Sequence, residues 1–487
     1  MVSTYKIYID GKWVSSNSGK TFDSLNPATE ESLGKFQSGN RKDVDMAVTA
    51  AEKALPEWKD TPAPERSKIL FKIRELLIRD KEKLAKLMSQ EMGKVLNESR
   101  GDVQEAIDIF EYMAGEGRRM FGYTTPSELK DKFAMTIRIP VGVVGLITPW
   151  NFPIAIPAWK IAAALICGNT IVFKPSSDTP LCAVKLVELL EEAGVPEGVV
   201  NLITGSGSEA GTPIIEHKKI RGLSFTGSRD TGKFITEKAG LKKVGLELGG
   251  KNGIIVMEDA NLDLAVDGII WGAFGTTGQR CTATSRVIVH DKVADKLIKM
   301  VADRAKKLRL GSGLDKKTDV GPLINKAAVE KVERYVELGK KEGAKLVCGG
   351  KRYSKKGNFF EPTIFADVKP GMRIAQEEIF GPYLVFIRVN GIDEAIKTVN
   401  NIQYGLSSSI YTNDIKNAFR AIKDIDSGIT YINSSTIGAE VHLPFGGIKD
   451  TGNGAREAGI EGINEFSETK TIYIDYSGKL QKAQGIE

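Results

Sequence analysis

Apolar positions along this chain follow two different periods, and the change falls near Val141. Before it, apolar residues recur at helical spacing. Asp43 to Trp58 has such a stripe after a polar start. Pro64 to Met92 repeats Ile69, Leu70, Ile73, Leu76 and Leu77, then Leu84, Leu87 and Met88. Gly101 to Gly115 predicts a third helix. Ahead of these, Tyr5 to Val14 predicts a short hairpin turning at Asp10-Gly11.

From Val141 onward, short apolar runs alternate with helical stretches. Val141 to Thr148 predicts a buried strand, and Asn151 to Cys167 a helix ended by Gly168-Asn169. Thr170 to Pro175 predicts a second strand, Leu181 to Glu192 a helix, and Val199 to Thr204 a third strand. Ile220 to Gly227 and Lys243 to Leu248 predict two more. This alternation predicts an α/β fold with a doubly wound parallel sheet that binds its ligand at the strand C-termini.

A second βα series starts near Gly253. It has a helix from Asp263 to Ala273, a strand from Ser285 to His290, and helices from Val293 to Lys307 and Lys326 to Glu342. Leu346 to Cys348 predicts an inward-facing strand, with Cys348 packing in the core. Phe133 to Ile139 and Lys470 to Tyr476 alternate like edge strands, which suggests pairing outside the main sheet, even across subunits.

Composition narrows the class. The chain has 487 residues, 41% hydrophobic and 27% charged, as an ordinary globular protein of two or three domains would. Its 68 basic and 62 acidic residues are interleaved, as between Arg74 and Leu84, so the net charge of +6 is not a nucleic-acid footprint. The 4 cysteines and 3 histidines have no metal-site spacing, so no metal is expected. Sparse cysteines and an N-terminus without an apolar leader point to the cytoplasm. The most apolar window, Ile154 to Phe173, is broken by Lys160 and Asn169, so no membrane partner is expected.

The chemistry concentrates in a few turns. Cys281 follows small and polar residues in Phe274-Gly-Thr-Thr-Gly-Gln-Arg-Cys281, and Glu247 lies in Leu246-Glu-Leu-Gly-Gly-Lys251. A thiol that attacks a carbonyl and a carboxylate that activates water would make a covalent site. Two prolines flank Asn151 in Thr148-Pro-Trp-Asn-Phe-Pro153, so its amide is a candidate oxyanion donor; a helix N-cap is the plain alternative. Gly205-x-Gly207-x-x-Ala210 approaches a dinucleotide fingerprint, and an ordinary strand-to-helix turn fits it equally. In Phe225-Thr-Gly-Ser-Arg-Asp-Thr-Gly232, Gly227 permits close backbone approach and Ser228 reaches for a phosphate at a helix N-terminus.

These segments, with Phe173-Lys-Pro-Ser, Gln376-Glu-Glu-Ile-Phe-Gly-Pro and Leu443-Pro-Phe-Gly-Gly-Ile-Lys, resemble the aldehyde dehydrogenase superfamily in order and over nearly the whole length. The resemblance implies a Rossmann-like cofactor domain, an α/β catalytic domain and a small β oligomerisation flap. It places them at residues 1–122 and 141–248, at 249–448, and at 123–140 with 469–487, joined by a return segment at 449–468. It implies that a small-molecule aldehyde adds to Cys281, with Asn151 and the Cys281 N–H as oxyanion hole and Glu247 as the base that favours water over coenzyme A. Cofactor positions would be Ile147, Pro149, Trp150, Lys174, Ser176, Ser177, Gly207, Gly211, Phe225, Gly227, Ser228, Leu248, Gly249, Glu378 and Phe380. Ser177 stands where strict NAD enzymes carry Glu, so NADP is expected, with NAD possible.

The resemblance also bears on substrate. Arg280 precedes the nucleophile and would hold a carboxylate, unless it is a structural ion pair. Ser434, Ser435 and Thr436 open the expected substrate loop and would hydrogen-bond the distal carboxylate; there Gly438-Ala-Glu-Val-His-Leu-Pro most resembles the 2-oxoglutarate semialdehyde (2,5-dioxopentanoate) dehydrogenases, with His442 as a loop residue. A short semialdehyde, 2,5-dioxopentanoate or succinate semialdehyde, is therefore expected. Non-phosphorylating glyceraldehyde-3-phosphate or glyceraldehyde dehydrogenase is the alternative within this chemistry, and a non-catalytic dinucleotide-binding protein the alternative outside it. A homodimer or homotetramer is implied.

Overall fold

A computed structural model describes residues 3–484. Its first large sheet has seven strands. Five are parallel, and they run across the sheet as Lys243–Glu247, Gly222–Thr226, Val143–Ile147, Thr170–Lys174 and Val200–Leu202. The chain enters at the central strand, Val143–Ile147, winds outward to one side, then returns to build the other. The order reverses between Val143–Ile147 and Gly222–Thr226, and such a reversal opens a crevice at the strand C-termini.

Side-chain alternation explains why helices cover both faces. In Thr170–Lys174, Ile171 and Phe173 point to one cluster and Val172 to the other. The first cluster is closed by the helices Ala63–Glu91, Leu96–Glu116, Ala155–Cys167 and Pro180–Glu192, and the second by Arg41–Asp60 and Arg229–Lys238. Arg41–Asp60 begins at a capping box in which Asn40 and Asp43 each accept from the other's backbone N–H.

The N-terminal hairpin forms as expected. Ile7–Ile9 and Lys12–Val14 pair across Asp10 (φ 50°) and Gly11 (φ 75°), the left-handed pair a tight hairpin needs. The hairpin also completes the sheet, with Tyr8 opposite Leu202. Thr21–Leu25 and Ser32–Gln37 form a further small sheet with Thr4–Tyr5, which the hydrophobic pattern did not reveal.

The chain leaves the first sheet at Glu247 and starts the second at Asn252. This second sheet also has seven strands, with Thr284–His290 and Tyr383–Val389 near its centre. Only the edge strand Lys345–Cys348 is antiparallel. Cys348 is half-buried at the margin of the core, beside a bulge. Lys132–Pro140 and Ser467–Asp475 pair with each other throughout, from Lys132 opposite Asp475 to Pro140 opposite Ser467, so the two expected edge strands find their partner within the chain. The expected flap ends at residue 487, and residues 485–487 lie outside the described residues, as do residues 1–2 of the expected cofactor domain. Among the described residues, no helix is long and apolar enough to cross a membrane.

One helix starts later than its sequence predicts. Ala155–Cys167 begins four residues after Asn151. Pro153 disfavours helical backbone at Phe152, so residues 151–154 form a turn. The first helical N–H is capped from afar, Ala155 donating to Asp102 Oδ1 at 2.7 Å.

Candidate active site

The crevice at the strand reversal continues as one cleft. Its outer stretch, about 560 Å³, is lined by Ile147, Pro149, Trp150, Lys174, Ser176, Ser177, Gly207, Gly211, Phe225, Gly227 and Ser228. Its inner stretch, about 440 Å³, adds Asn151, Leu248, Gly249, Cys281, Glu378 and Phe380. Pro149, Trp150, Gly227 and Ser228 belong to both. Every sequence-derived cofactor position thus falls on one surface, and that surface ends at Cys281.

The residues fit a dinucleotide. Ser228 caps Arg229–Lys238, its hydroxyl accepting from the Thr231 N–H, so backbone donors and a helix N-terminus face the cleft. A Cβ on Gly227 would lie 2.4 Å from the Phe225 ring, so glycine keeps that turn flat. At the outer end, Lys174 Nζ is buried and donates only to its neighbour's carbonyl, Pro175 O, at 2.8 Å; burial pulls its pKa down to about 8. Ser177 donates to Gly205 O at 2.8 Å and brings no charge. At the inner end, Glu378 accepts from the Gly250 N–H at 2.8 Å and fills the space a Cβ on Gly249 would need, 2.6 Å away. Phe380 (φ 62°) packs edge-on against Trp150 at 5.4 Å.

The Gly205–Ala210 segment proves to be a turn at the third strand, where Ser206 caps the Glu209 N–H. Its Gly207 and Ser208, with Gly211 and Thr212 beyond, face the cleft. The sequence also missed several lining residues. Asn325, Ala328, Lys331 and Arg334 enter from the start of Lys326–Lys341. Their polar spacing reads as a solvated helix face, and only tertiary contact turns it toward Cys281.

Cys281 is delivered by a strained loop. Thr276 (φ 51°), Thr277 (φ 59°) and Gly278 (φ 68°) are all left-handed, and the first two are β-branched. Surrounding bonds hold them. Thr276 N–H donates to Glu98 at 2.8 Å, and the Thr277 hydroxyl to Gly321 O at 3.0 Å. Gln279 spans the gap to Pro322 and Ile324. Asn151 is not an N-cap; Ile154 holds that place. Its Nδ2 donates to Gln279 O at 3.1 Å, which presents the amide to the inner cleft. The nearby Thr282 and Cys281 N–H groups favour the thiolate. Burial first, then the charges of Glu247 and Glu378, still push the thiol up to about 12.

Glu247 is placed differently. It lies behind the cleft wall, buried, with neither carboxylate oxygen hydrogen-bonded. Glycine at 446 makes room for it, because a Cβ there would lie 2.4 Å from Glu247 Oε1. Desolvation, and then the neighbouring charge of Glu457, push its carboxyl well above the ordinary range.

Arg280 faces the other way. Alternation along the chain sends Asn151 and Cys281 to the cleft and their neighbours Phe152 and Arg280 to a second cavity of about 570 Å³. There the guanidinium lies over Trp271 at 5.0 Å and Phe152 at 5.2 Å, donates to Thr276 Oγ1 at 2.9 Å and sits 3.6 Å from Glu98. Asp102 and Glu105 share this cavity. Ser434 and Thr436 line neither cavity. Thr436 is fully buried, its hydroxyl donating to Thr282 O at 2.7 Å and meeting Thr284 at 2.8 Å, so it braces the loop after Cys281. Ser435 is tied to Gly268 O, and His442 is exposed.

Comparison with known proteins places the chain in a family. The aldehyde dehydrogenase family profile matches residues 13–472. The chain is 41% identical over 479 residues to the alpha-ketoglutaric semialdehyde dehydrogenase of Bacillus subtilis (strain 168), covering 97% of this chain and 98% of that one. Betaine aldehyde dehydrogenase from Staphylococcus aureus, solved in complex with NAD+, superposes with a TM-score of 0.96 at 37% identity, over 99% of this chain and 97% of that one. An E. coli NADP dependent enzyme superposes with a TM-score of 0.95 at 38% identity, over 97% of this chain and 98% of that one. The chain belongs to the aldehyde dehydrogenase family and is an NAD(P)-dependent enzyme that oxidises aldehydes.

Proposed function

We propose that the substrate is a short aldehyde with a carboxylate at its far end, 2,5-dioxopentanoate or succinate semialdehyde. Arg280 carries this reading. It adjoins the nucleophile, lines a cavity separate from the cofactor cleft, and keeps N–H donors beyond those facing Thr276 and Glu98. The surroundings favour a single negative charge. Glu98 and Asp102 would repel a phosphate dianion more than a carboxylate, which sets glyceraldehyde 3-phosphate behind the semialdehydes. A quaternary ammonium would need the aromatic faces of Trp271 and Phe152, and Arg280 already covers both, with Lys94 Nζ 3.8 Å from the Phe152 ring.

In this reading the Cys281 thiol gives its proton to water in the cleft as its sulfur bonds the aldehyde carbon. The resulting oxyanion accepts from Asn151 Nδ2–H and the Cys281 N–H. A bound nicotinamide supplies the hydride acceptor. Loss of hydride from that carbon leaves a thioester on Cys281. Glu247 turns from its place behind the wall and takes a proton from water. The water oxygen then attacks the thioester, the C–S bond breaks, and the acid leaves. NADP is accepted at least as well as NAD, because Ser177 offers no charge against a 2′-phosphate and Lys174 lies beside it. The chain assembles as a homodimer or homotetramer through Lys132–Pro140 and Ser467–Asp475, whose Phe133, Tyr473 and Ile474 are exposed.

A kcat/KM panel tests the substrate. The panel holds both semialdehydes, glyceraldehyde, glyceraldehyde 3-phosphate, betaine aldehyde and a plain aliphatic aldehyde, each with NAD and NADP. The semialdehydes should lead, and Arg280→Ala should raise their KM while the aliphatic aldehyde is little affected. Equal use of betaine aldehyde, or an unchanged semialdehyde KM in that variant, would remove the carboxylate clamp.

A further inference from the structure

The face of the first sheet behind Glu247 carries a cluster that the steps above leave unused. Strand register sets Thr226 opposite Glu247 and Ser224 opposite Gly245, so these four residues share one face of two neighbouring strands. Three more side chains pack onto that face. Lys160 Nζ donates to Ser224 Oγ at 2.8 Å and pairs closely with Glu457. Thr226 Oγ1 lies 3.4 Å from Glu457 Oε1. Glu465, from the helix Gly459–Phe466, occupies the space left bare by Gly245, where a Cβ would lie 2.0 Å from its Oε1. Both oxygens of its carboxylate are shut off from solvent and neither has a hydrogen-bond partner within ordinary distance.

One lysine cannot neutralise three buried carboxylates. The cluster therefore disfavours ionising Glu247 and Glu465 together. Burial and the nearby Glu457 push Glu465 up to about 7, whereas Lys160, Ser224 and Lys243 hold it down. Arg456 adds positive charge on the Glu247 side, and Arg138, from Lys132–Pro140 of the small sheet, adds it near Lys243. Beyond Glu465, Lys243 Nζ donates to Asn464 O at 2.6 Å and Ser467 O at 2.7 Å, and Glu468 is exposed. The cluster thus reaches from Glu247 to Glu465, and the exposed Glu468 stands just beyond it at the start of Ser467–Asp475.

We propose that Glu465 is a positioning residue for the hydrolytic step, holding the proton that Glu247 takes from water until solvent removes it. This rests on the reading of Glu247 as general base. The proton breaks from water, binds Glu247, and crosses by way of Glu457 and Lys160, which each release one proton as they gain one. It ends on the Glu465 carboxylate, and no electrons move. With the cleft filled by cofactor and acyl chain, the proton leaves past Glu465 toward the exposed Glu468.

Rapid mixing of the full-length enzyme with succinate semialdehyde and NADP separates the steps. The first-turnover rate of reduced cofactor reports hydride transfer, and quenched intact mass reports thioester decay. Glu465→Gln should leave the first turnover within about two-fold and slow thioester decay about ten-fold. It should also move the acid limb of decay to lower pH, because removing a negative neighbour makes Glu247 easier to ionise. Glu465→Asp should restore most of the rate. Unchanged decay and an unmoved limb would overturn the proposal, as would a first turnover that falls in step with decay. Glu247→Gln runs alongside. If it hydrolyses normally, the general-base reading falls and this proposal with it; if it stalls while Glu465→Gln does not, only this proposal falls.

Discussion

The side-chain amide of Asn151 donates to the main-chain carbonyl of Gln279 at 3.1 Å, tying the turn after the central strand to the loop that carries Cys281. An amide nitrogen has two hydrogens. One holds the loop, and the other is free to meet an oxyanion formed on Cys281. Asn151→Ala should lower kcat by about 10²–10³ with little change in cofactor binding, read by steady-state kinetics and a cofactor titration. A loss confined to KM would assign Asn151 to loop support alone.

The thiol is held in its neutral form. In cofactor-free enzyme, alkylation of Cys281 by iodoacetamide should keep accelerating as pH rises through about 9, because its pKa is pushed up to about 12. Glu378→Gln removes one of the charges responsible, so the variant should react about three-fold faster at a given pH. A plateau near neutrality would show a thiolate already formed.

Gly249 and Gly250 form the seat of Glu378. Gly249→Ala places a Cβ 2.6 Å from Glu378 Oε2 and must push the carboxylate away. The cofactor KM should rise about ten-fold, with a smaller change in the aldehyde KM. An unchanged cofactor KM would separate Glu378 from the dinucleotide.

Cofactor choice should turn on one position. Ser177→Glu puts a carboxylate where a 2′-phosphate would lie, and kcat/KM for NADP should fall about 100-fold relative to NAD, some 2.7 kcal/mol. A wild-type enzyme already preferring NAD by that factor would refute the reading of Ser177.

Stability should fall as pH rises. Burial, and then the charge of Asp102, push Glu105 from its ordinary 4.5 to about 8, so the folded state binds a proton more tightly than the unfolded chain. That contribution is complete below the unfolded pKa and is lost as pH climbs through about 8. Glu105→Gln should therefore raise Tm at pH 8.5 by about 1–2 °C relative to wild type and flatten the decline from pH 5. An equal shift at both ends would point to packing.

The strands of the first sheet were legible because buried parallel strands read as short apolar runs closed by Gly and Pro. Thr21–Leu25 and Ser32–Gln37 were not, since about half their residues are polar, and strand-like spacing is weak over five or six residues. Asn151 to Ile154 read as helix because periodicity does not register the conformational limit set by Pro153.

The chemistry of the site was determined by local sequence. Cys281, Glu247, Asn151 and the cofactor positions sit in turns whose Gly and Pro dictate backbone shape within a few residues, so their identities could be read in order along the chain. The tertiary structure alone decided orientation. Alternation at a strained loop sends Cys281 to the cleft and Arg280 to a different cavity against Glu98, while strand register turns Glu247 away from the thiol toward Lys160, Glu457 and Glu465. Those partners lie far apart in sequence, and burial and shared charge act only once folding has brought them together.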